Sequence, residues 1–317
     1  MALMMKTLLI LKIISEEYRK KIEATAPDLE IIYNENNPPN DDELVRASYI
    51  WGNPDPVLLN KCKRLEWLQL QTAGYDAYAA NKVLPPGAIL CSCSGAYGLI
   101  ISEYLVASTL CLMKKLHLYR DRQHKRKWES AGEIMIAAGS RILVVGFGNI
   151  GSNYAQKMSA LGVKVSGVRR SAAEKPPWLE AMYTFDKLDD LLPEYDVVAL
   201  CLPSNAQTIG LFNRERINRM KRGAFILNIG RGNAIDTDAL CDALENGVLG
   251  GAGLDVFNPE PLAPEHRLWG IPSVLITPHR AGGEEFGELY HEIIKIWLDN
   301  LKRIRAGEPL KNRITIF

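Results

Sequence analysis

Of its 317 residues the chain spends only six on cysteine, carries almost no net charge and has no apolar stretch of bilayer length. The longest apolar run, Leu99 to Met113, contains Ser102 and Glu103 and falls short of the roughly 20 residues a membrane span needs. It is expected to be a buried helix. Thirty-eight Lys and Arg stand against 37 Asp and Glu, a formal net charge of +1 with no long block of one sign. This argues against nucleic acid as a principal ligand, because phosphate backbones demand a clustered basic excess. Cys91-x-Cys93 lacks a second pair or a neighbouring His at metal spacing, and Cys62, Cys111, Cys201 and Cys241 sit mostly in apolar stretches. Reduced, packed thiols of a cytoplasmic protein, and no metal, are expected. The start, Met1 to Ile14, looks like a secretory signal where Lys6 precedes Thr7-Leu8-Leu9-Ile10-Leu11, but Lys12 interrupts it and no small-residue cleavage site follows. A first β-strand is the expectation there. No repeat of fixed period and no Gly/Ser-rich linker is present.

What is present is ordinary globular usage, 47% hydrophobic and 24% charged, at a length that suggests two domains or one large α/β unit. Short β-rich runs alternate with helical patterns, the sign of a parallel sheet covered by helices on both faces. Candidate strands before residue 100 are Thr7–Leu11, Glu30–Tyr33, Ser48–Trp51, Trp67–Gln71 and Ala88–Cys91. Asn36-Asn37-Pro38-Pro39-Asn40 and Leu84-Pro85-Pro86-Gly87 read as turns or loops. A second series supplies six strands: Arg141–Val145, Lys164–Val168, Val197–Leu200, Ala224–Asn228, Gly251–Asp255 and Val274–Thr277. From Glu284 to Ile304, Phe286, Leu289, Tyr290, Ile293, Ile296, Trp297, Leu301 and Ile304 recur at helical spacing and predict a long amphipathic helix.

Arg141–Val145 runs into Gly146-Phe147-Gly148-Asn149-Ile150-Gly151 and then into a helical segment. G-x-G-x-x-G alone is weak, but between a buried strand and a helix it reads as a dinucleotide-binding turn. Gly146 permits the tight turn, Gly148 lets backbone approach a pyrophosphate and Gly151 allows close helix–strand packing. The helix start, with Asn149 and Ile150, offers N–H groups to the phosphates. An NAD site usually carries an acidic residue about 20 residues later, to accept from the ribose 2′-OH. Here the second strand ends instead in Arg169-Arg170-Ser171, which suits a 2′-phosphate through charge-assisted hydrogen bonds. NADP(H) is therefore the preferred cofactor, with NAD possible. Leu202, Pro203 and Thr208, after the strand Val197–Leu200, and Ile229, after Ala224–Asn228, are expected to line the same site. The layout is then a dinucleotide-binding domain, 102–284, inserted into a substrate domain made of 1–101 and 285–317, with two Rossmann-like parallel sheets, the first flavodoxin-like.

Reducing a 2-oxo acid takes a cation that holds the carboxylate and polarises the carbonyl, plus an acid that protonates the developing alkoxide. Three places offer such groups: Arg231 in Leu227-Asn228-Ile229-Gly230-Arg231-Gly232, Glu260 in the loop Asp255 to Leu262, and His279 in Ile276-Thr277-Pro278-His279-Arg280-Ala281.

In this order and in these contexts the three match the Arg, Glu and His signatures of the D-isomer specific 2-hydroxyacid dehydrogenases, a family the sequence resembles over most of its length. The resemblance implies that Arg231 binds the substrate carboxylate and carbonyl. It makes His279 the general acid/base, and Glu260 the hydrogen-bond partner that favours its protonated form. Asp255 matches the position that contacts the nicotinamide carboxamide. Gln71-Thr72-Ala73-Gly74-Tyr75-Asp76 resembles the loop whose backbone amides hold the substrate carboxylate, which makes Ala73, Gly74 and Tyr75 substrate-binding residues. Gly95 to Glu103 resembles the entry to the long interdomain helix, and Arg120 to Trp128 the arm used for dimerisation, so a homodimer is implied. Tyr75 and Arg280 vary among subgroups and are expected to shape the side-chain pocket, with Trp51, Tyr97 and Trp269 as further candidates. Glutamate rather than glutamine at 260 speaks against formate dehydrogenase. With the terminal helix so near residue 317, the regulatory extension of many phosphoglycerate dehydrogenases is not expected. The reading is an oxidoreductase that moves a hydride between NADP(H) and C2 of a small 2-oxo or D-2-hydroxy acid, such as glyoxylate, hydroxypyruvate, pyruvate or a longer 2-oxo acid, with domain closure excluding water. The alternative is a redox-sensing, cofactor-binding regulatory protein on the same scaffold.

Overall fold

The apolar runs of the first hundred residues do become strands: β1 (Thr7–Ile10), β2 (Glu30–Tyr33), β3 (Ala47–Trp51), β4 (Trp67–Gln69) and β5 (Ile89–Cys91). The later series gives β6 (Arg141–Val145), β7 (Lys164–Arg169), β8 (Ala181–Thr184), β9 (Val197–Leu200), β10 (Phe225–Asn228), β11 (Gly251–Leu254) and β12 (Val274–Ile276), and β13 (Arg313–Ile314) closes the chain. These come from a computed structural model that describes residues 5–35, 38–80, 83–283 and 287–315. The chain divides into two compact units, Met1–Tyr97 with Glu285–Phe317, and Gly98–Glu284.

In the first unit the strand order is β13-β5-β4-β3-β1-β2, parallel throughout except for antiparallel β13. Strands of this kind, buried on both faces, read as continuous apolar runs, and β1 and β3 are buried at every position. The terminal helix spans Glu288–Ala306, with Leu289, Ile293, Ile294, Trp297 and Leu301 on its buried stripe. The expected contribution of Phe286 lies outside the described residues, as does that of Asn36 and Asn37 to their loop. Trp297 stacks at 5.1 Å on Trp51, which meets Trp67 at 6.0 Å. Trp51 is completely buried in this aromatic core, so it is a packing residue and not the pocket residue expected. The same helix is fastened to β4 by polar bonds. Trp297 Nε1 donates to the Leu70 carbonyl at 3.1 Å, and Asn300 Nδ2 donates to Gln69 Oε1 at 2.7 Å.

The second unit holds a seven-stranded, wholly parallel sheet, in the order β12-β11-β10-β9-β6-β7-β8. Six strands were expected. The seventh, β8, is a four-residue edge strand whose residues are all half-buried, so its run Ala-Met-Tyr-Thr lacks the apolar block that marks the inner strands. The run from Leu99 forms the helix Gly98–Met113, which buries Leu105, Leu112 and Met113 against Val144, Tyr154, Ala155 and Leu227. Among the described residues no helix is long and apolar enough to cross a membrane, and all six cysteines are free.

The buried Gln69–Asn300 pair yields a stability test. Asn300→Ala leaves Gln69 Oε1 and the Lys311 backbone without their partners. It is expected to cost about 2–4 kcal/mol, read as a lower midpoint in urea with an unchanged m-value.

Candidate active site

In a parallel sheet every strand points the same way, so every connection that follows a strand leaves one edge. β6 is followed in space by β7 on one side and by β9 on the other, and this reversal of strand order opens a crevice at the carboxyl ends. The glycine turn sits there. Gly146 has φ +101°, and a Cβ on it would lie 2.4 Å from the Cys201 carbonyl oxygen. A Cβ on Gly151 would lie 2.3 Å from the Gly146 carbonyl oxygen, whereas one on Gly148 would meet nothing within 4 Å. The first and third glycines are thus demanded by packing, and the second leaves open space above the turn. The helix Asn149–Ala160 that follows has no side-chain cap, and the N–H groups of Asn149, Ile150 and Gly151 take no partner among the described residues. Unpaired donors and the dipole of a three-turn helix facing open space fit the pyrophosphate of a dinucleotide.

At the end of β7, Arg169 is half-buried and Arg170 and Ser171 are exposed. Neither guanidinium has an ion pair or hydrogen bond among the described residues, although Arg141, Arg214, Arg216, Arg219 and Arg267 of the same unit are all paired with carboxylates. Two unpaired guanidiniums about 20 residues past the turn are a ready receptor for a phosphate. Leu202 and Ile229 are buried where β9 and β10 end. The Thr208 hydroxyl is buried within its own turn, donating to the Pro203 carbonyl at 2.7 Å and accepting from Asn205 N–H at 2.9 Å, so it shapes the loop that presents Pro203.

Three neighbouring strands carry the candidate chemistry. Asn228 at the end of β10 pairs with Leu254 of β11, which pairs with Ile276 of β12. Arg231, Asp255 and His279 therefore leave adjacent strands at one level. The buried Asn228 amide staples the Arg231 turn: its Oδ1 accepts from Gly230 N–H at 3.0 Å and its Nδ2 donates to the Arg231 carbonyl at 2.9 Å. Arg231 Nη1 donates to the Gly230 carbonyl at 2.7 Å. A Cβ on Gly232 would overlap the Phe257 backbone at 2.0 Å, so the Arg231 loop lies flush against the loop carrying Glu260. Glu260 uses both oxygens. Its Oε1 accepts from Phe257 N–H at 2.9 Å, and its Oε2 stands 2.8 Å from His279 Nδ1.

That geometry fixes the tautomer, because an ionised carboxylate only accepts: Nδ1 carries a proton and donates it to Glu260, and Nε2 faces outward with no partner among the described residues. Both side chains are accessible, His279 at 52% and Glu260 at 37%. The structure thus brings Glu260 and His279 into contact and sets the Arg231 loop against them. A guanidinium with a carboxylate-supported imidazole can orient a carbonyl and exchange a proton with its oxygen.

Asp255 is 1% exposed, and its carboxylate is held by Thr277, Arg280 and Ala281 of the His279 loop. In the first unit, the N–H groups of Ala73 and Gly74 take no partner among the described residues. The loop is braced by Asn53, whose Oδ1 accepts from Gln71 N–H at 3.0 Å and whose Nδ2 donates to the Thr72 hydroxyl at 3.1 Å, and by Tyr97, whose hydroxyl donates to the Gln71 carbonyl at 2.9 Å. Tyr75 is half-buried beside it. Trp269 is tied by its indole N–H to the Ala263 carbonyl at 2.9 Å, and the Arg280 side chain is exposed. Sequence reasoning missed Asn53, Asn228 and Thr277. The signal available was positional, an Asn or Thr at a strand's last residue or within two residues after it and next to a predicted site loop.

Fold and site together define a dinucleotide-dependent oxidoreductase. The family model for D-isomer specific 2-hydroxyacid dehydrogenase, NAD binding domain, matches residues 106–281, and the chain belongs to this family. It is 32% identical to a solved D-isomer specific 2-hydroxyacid dehydrogenase family protein from Aeromonas salmonicida subsp. salmonicida, with a TM-score of 0.86 over 99% of this chain and 100% of that one. An NADPH-dependent glyoxylate/hydroxypyruvate reductase from Sinorhizobium meliloti, solved with NADP and sulfate, is 26% identical, with a TM-score of 0.82 over 98% of both chains. A hydroxypyruvate reductase from Blautia hydrogenotrophica is 26% identical over 88% of this chain and 90% of its own.

The unpaired arginines give a cofactor test. Arg169→Asp is expected to raise the Kd for NADPH by about 10-fold to 100-fold, the loss of a charge-assisted bond, and to leave that for NADH within threefold. Equal losses for the two would refute the 2′-phosphate assignment, and titration by cofactor fluorescence measures both.

Proposed function

We propose that the protein is an NADP(H)-preferring reductase of small 2-oxo acids, with Gly98–Glu284 as its cofactor domain and the other unit as its substrate domain. The glycine turn, the start of the helix Asn149–Ala160 and the pair Arg169 and Arg170 would hold the cofactor. When bound, the nicotinamide supplies a hydride to C2 of the 2-oxo acid, or accepts one from the D-2-hydroxy acid. Arg231 orients the carboxylate and carbonyl and stabilises the negative charge that grows on the carbonyl oxygen. His279 Nε2 hands its proton to that oxygen, and takes it back in the reverse direction. Glu260 holds the imidazole through Nδ1 and offsets its positive charge while the proton resides on Nε2. The amides of Ala73 and Gly74 bind the substrate carboxylate, and Tyr75 and Arg280 select the side chain at C3.

One observation carries this reading: the 2.8 Å bond between His279 Nδ1 and Glu260 Oε2, which occupies Nδ1 and leaves Nε2 as the nitrogen available to exchange a proton. The NADP-bound Sinorhizobium meliloti reductase lends the cofactor choice its support. Names of relatives support glyoxylate or hydroxypyruvate as the acid. The free thiols agree with a cytoplasmic setting. A homodimer is proposed through the helix Leu116–His124 and the segment that follows it, where Leu116, Trp128, Ile134 and Ile136 leave apolar surface exposed.

The purified protein is expected to oxidise NADPH with glyoxylate or hydroxypyruvate and more slowly with longer 2-oxo acids. His279→Ala is expected to lower kcat by about 100-fold or more while leaving the NADPH Kd within twofold. Tight cofactor binding with no turnover on a panel of 2-oxo acids would instead favour the regulatory reading. For the assembly, light scattering after gel filtration at about 10 μM is expected to give twice the 35.4 kDa chain mass. Trp128→Glu with Ile136→Glu is expected to return it to the monomer mass, and a monomeric wild type would refute the dimer.

A further inference from the structure

His279 has φ +55°, a left-handed backbone uncommon for a residue other than glycine. Its N–H donates to the Asp255 carbonyl at 2.8 Å and to the Thr277 carbonyl at 3.0 Å. The Asp255 carboxylate then takes Arg280 N–H on Oδ1 at 2.7 Å, Ala281 N–H on Oδ2 at 2.9 Å, and the Thr277 hydroxyl on Oδ1 at 2.5 Å. Both flanks of His279 are therefore pinned to a carboxylate that is buried and whose own direction depends on its three donors.

Counting protons extends the chain by one residue. A hydroxyl has a single proton to give, and an ionised carboxylate has none. Thr277 spends its proton on Asp255, so the short 2.6 Å contact between Thr277 Oγ1 and Tyr104 Oη can only be a bond in which Tyr104 donates. Burial raises the Tyr104 phenol above its ordinary range, which keeps that proton in place. Tyr104 lies on the helix Gly98–Met113, a rigid element apart from the catalytic loops.

We propose that Tyr104 is a positioning residue that sets His279 through a one-way hydrogen-bond chain, Tyr104 hydroxyl to Thr277 hydroxyl to Asp255 carboxylate. The chain fixes the Thr277 rotamer, the rotamer aims the carboxylate, and the carboxylate holds the backbone on either side of His279 so that Nδ1 meets Glu260. The inference rests on the proposed acid/base role of His279 for its effect on rate, but not for its effect on the ring's position.

The test uses Thr277→Val, Thr277→Ser and Tyr104→Phe in the full chain. Thr277→Val keeps the shape and loses the donor, and misplacement of a reacting group by about 1 Å is worth on the order of 100-fold in rate. Expected are a fall in kcat of about 10-fold to 100-fold for Thr277→Val, about 10-fold for Tyr104→Phe, and less than threefold for Thr277→Ser. KM for the 2-oxo acid and Kd for NADPH should stay within twofold in all three. A second readout needs no turnover: the His279 ring-proton NMR signal of the cofactor-free protein, assigned by its loss in His279→Ala, should move in Thr277→Val and Tyr104→Phe and be restored in Thr277→Ser. If Thr277→Ser loses as much kcat as Thr277→Val, the effect is packing and the chain is wrong. An unmoved ring signal in Tyr104→Phe overturns the proposal even in an active enzyme. A wild type with no turnover would refute the proposed function alone, because the ring signal still decides the positioning.

Discussion

Everything chemical in the second unit depends on a directional constraint, that seven strands run parallel and end at one level. Because each strand hands over to its crossover at the same edge, the glycine turn after β6, the arginine pair after β7, and the Arg, Glu and His loops after β10, β11 and β12 arrive on one rim without any of them being near another in sequence. The reversal of strand order at β6 and β9 then leaves the gap into which an extended dinucleotide fits. An antiparallel sheet of the same residues would divide these loops between two edges.

A second principle is the separation of the exposed candidate groups from what holds them. His279 and Glu260 are half open to solvent, and a polar pair so placed adds little to stability. Its value is orientation. The holding is done one layer below by groups withdrawn from water: Asn228 under Arg231, Asp255 under His279, and Thr208 under Pro203. Buried hydrogen bonds are costly to leave unmade, so each of these side chains has in effect one arrangement, and the exposed residue above it inherits that definition. The same device recurs in the first unit, where Asn53 braces the loop of Ala73 and Gly74.

How much of this could be read beforehand differs by kind. The inner strands were legible because burial on both faces demands unbroken apolar runs, and the glycine turn because only glycine satisfies the approach of Gly151 to the Gly146 carbonyl and the positive φ of Gly146. β8 was not, since a half-buried edge strand of four residues has neither a run nor a clear alternation. Trp51 shows the opposite error. An aromatic residue at the end of a strand suits a pocket and a core equally in one dimension, and only its stacking on Trp67 and Trp297 makes it core. Asp255 was legible as a site residue but not as the anchor of the next loop, because its partners lie more than twenty residues away.

The linear order of residues by itself determined the α/β class, the dinucleotide turn, the absence of the usual acidic residue after β7 and the three candidate groups for the chemistry, each of which depends on side-chain chemistry and local spacing. Only the tertiary structure decided which nitrogen of His279 faces outward, which guanidiniums of the second unit are spent in ion pairs and which buried amide, hydroxyl or carboxylate supports each loop. Those are questions of who stands opposite whom. Hydrogen bonds and ion pairs act over about 3 Å, and that proximity between residues distant in the chain exists only once the sheet has assembled.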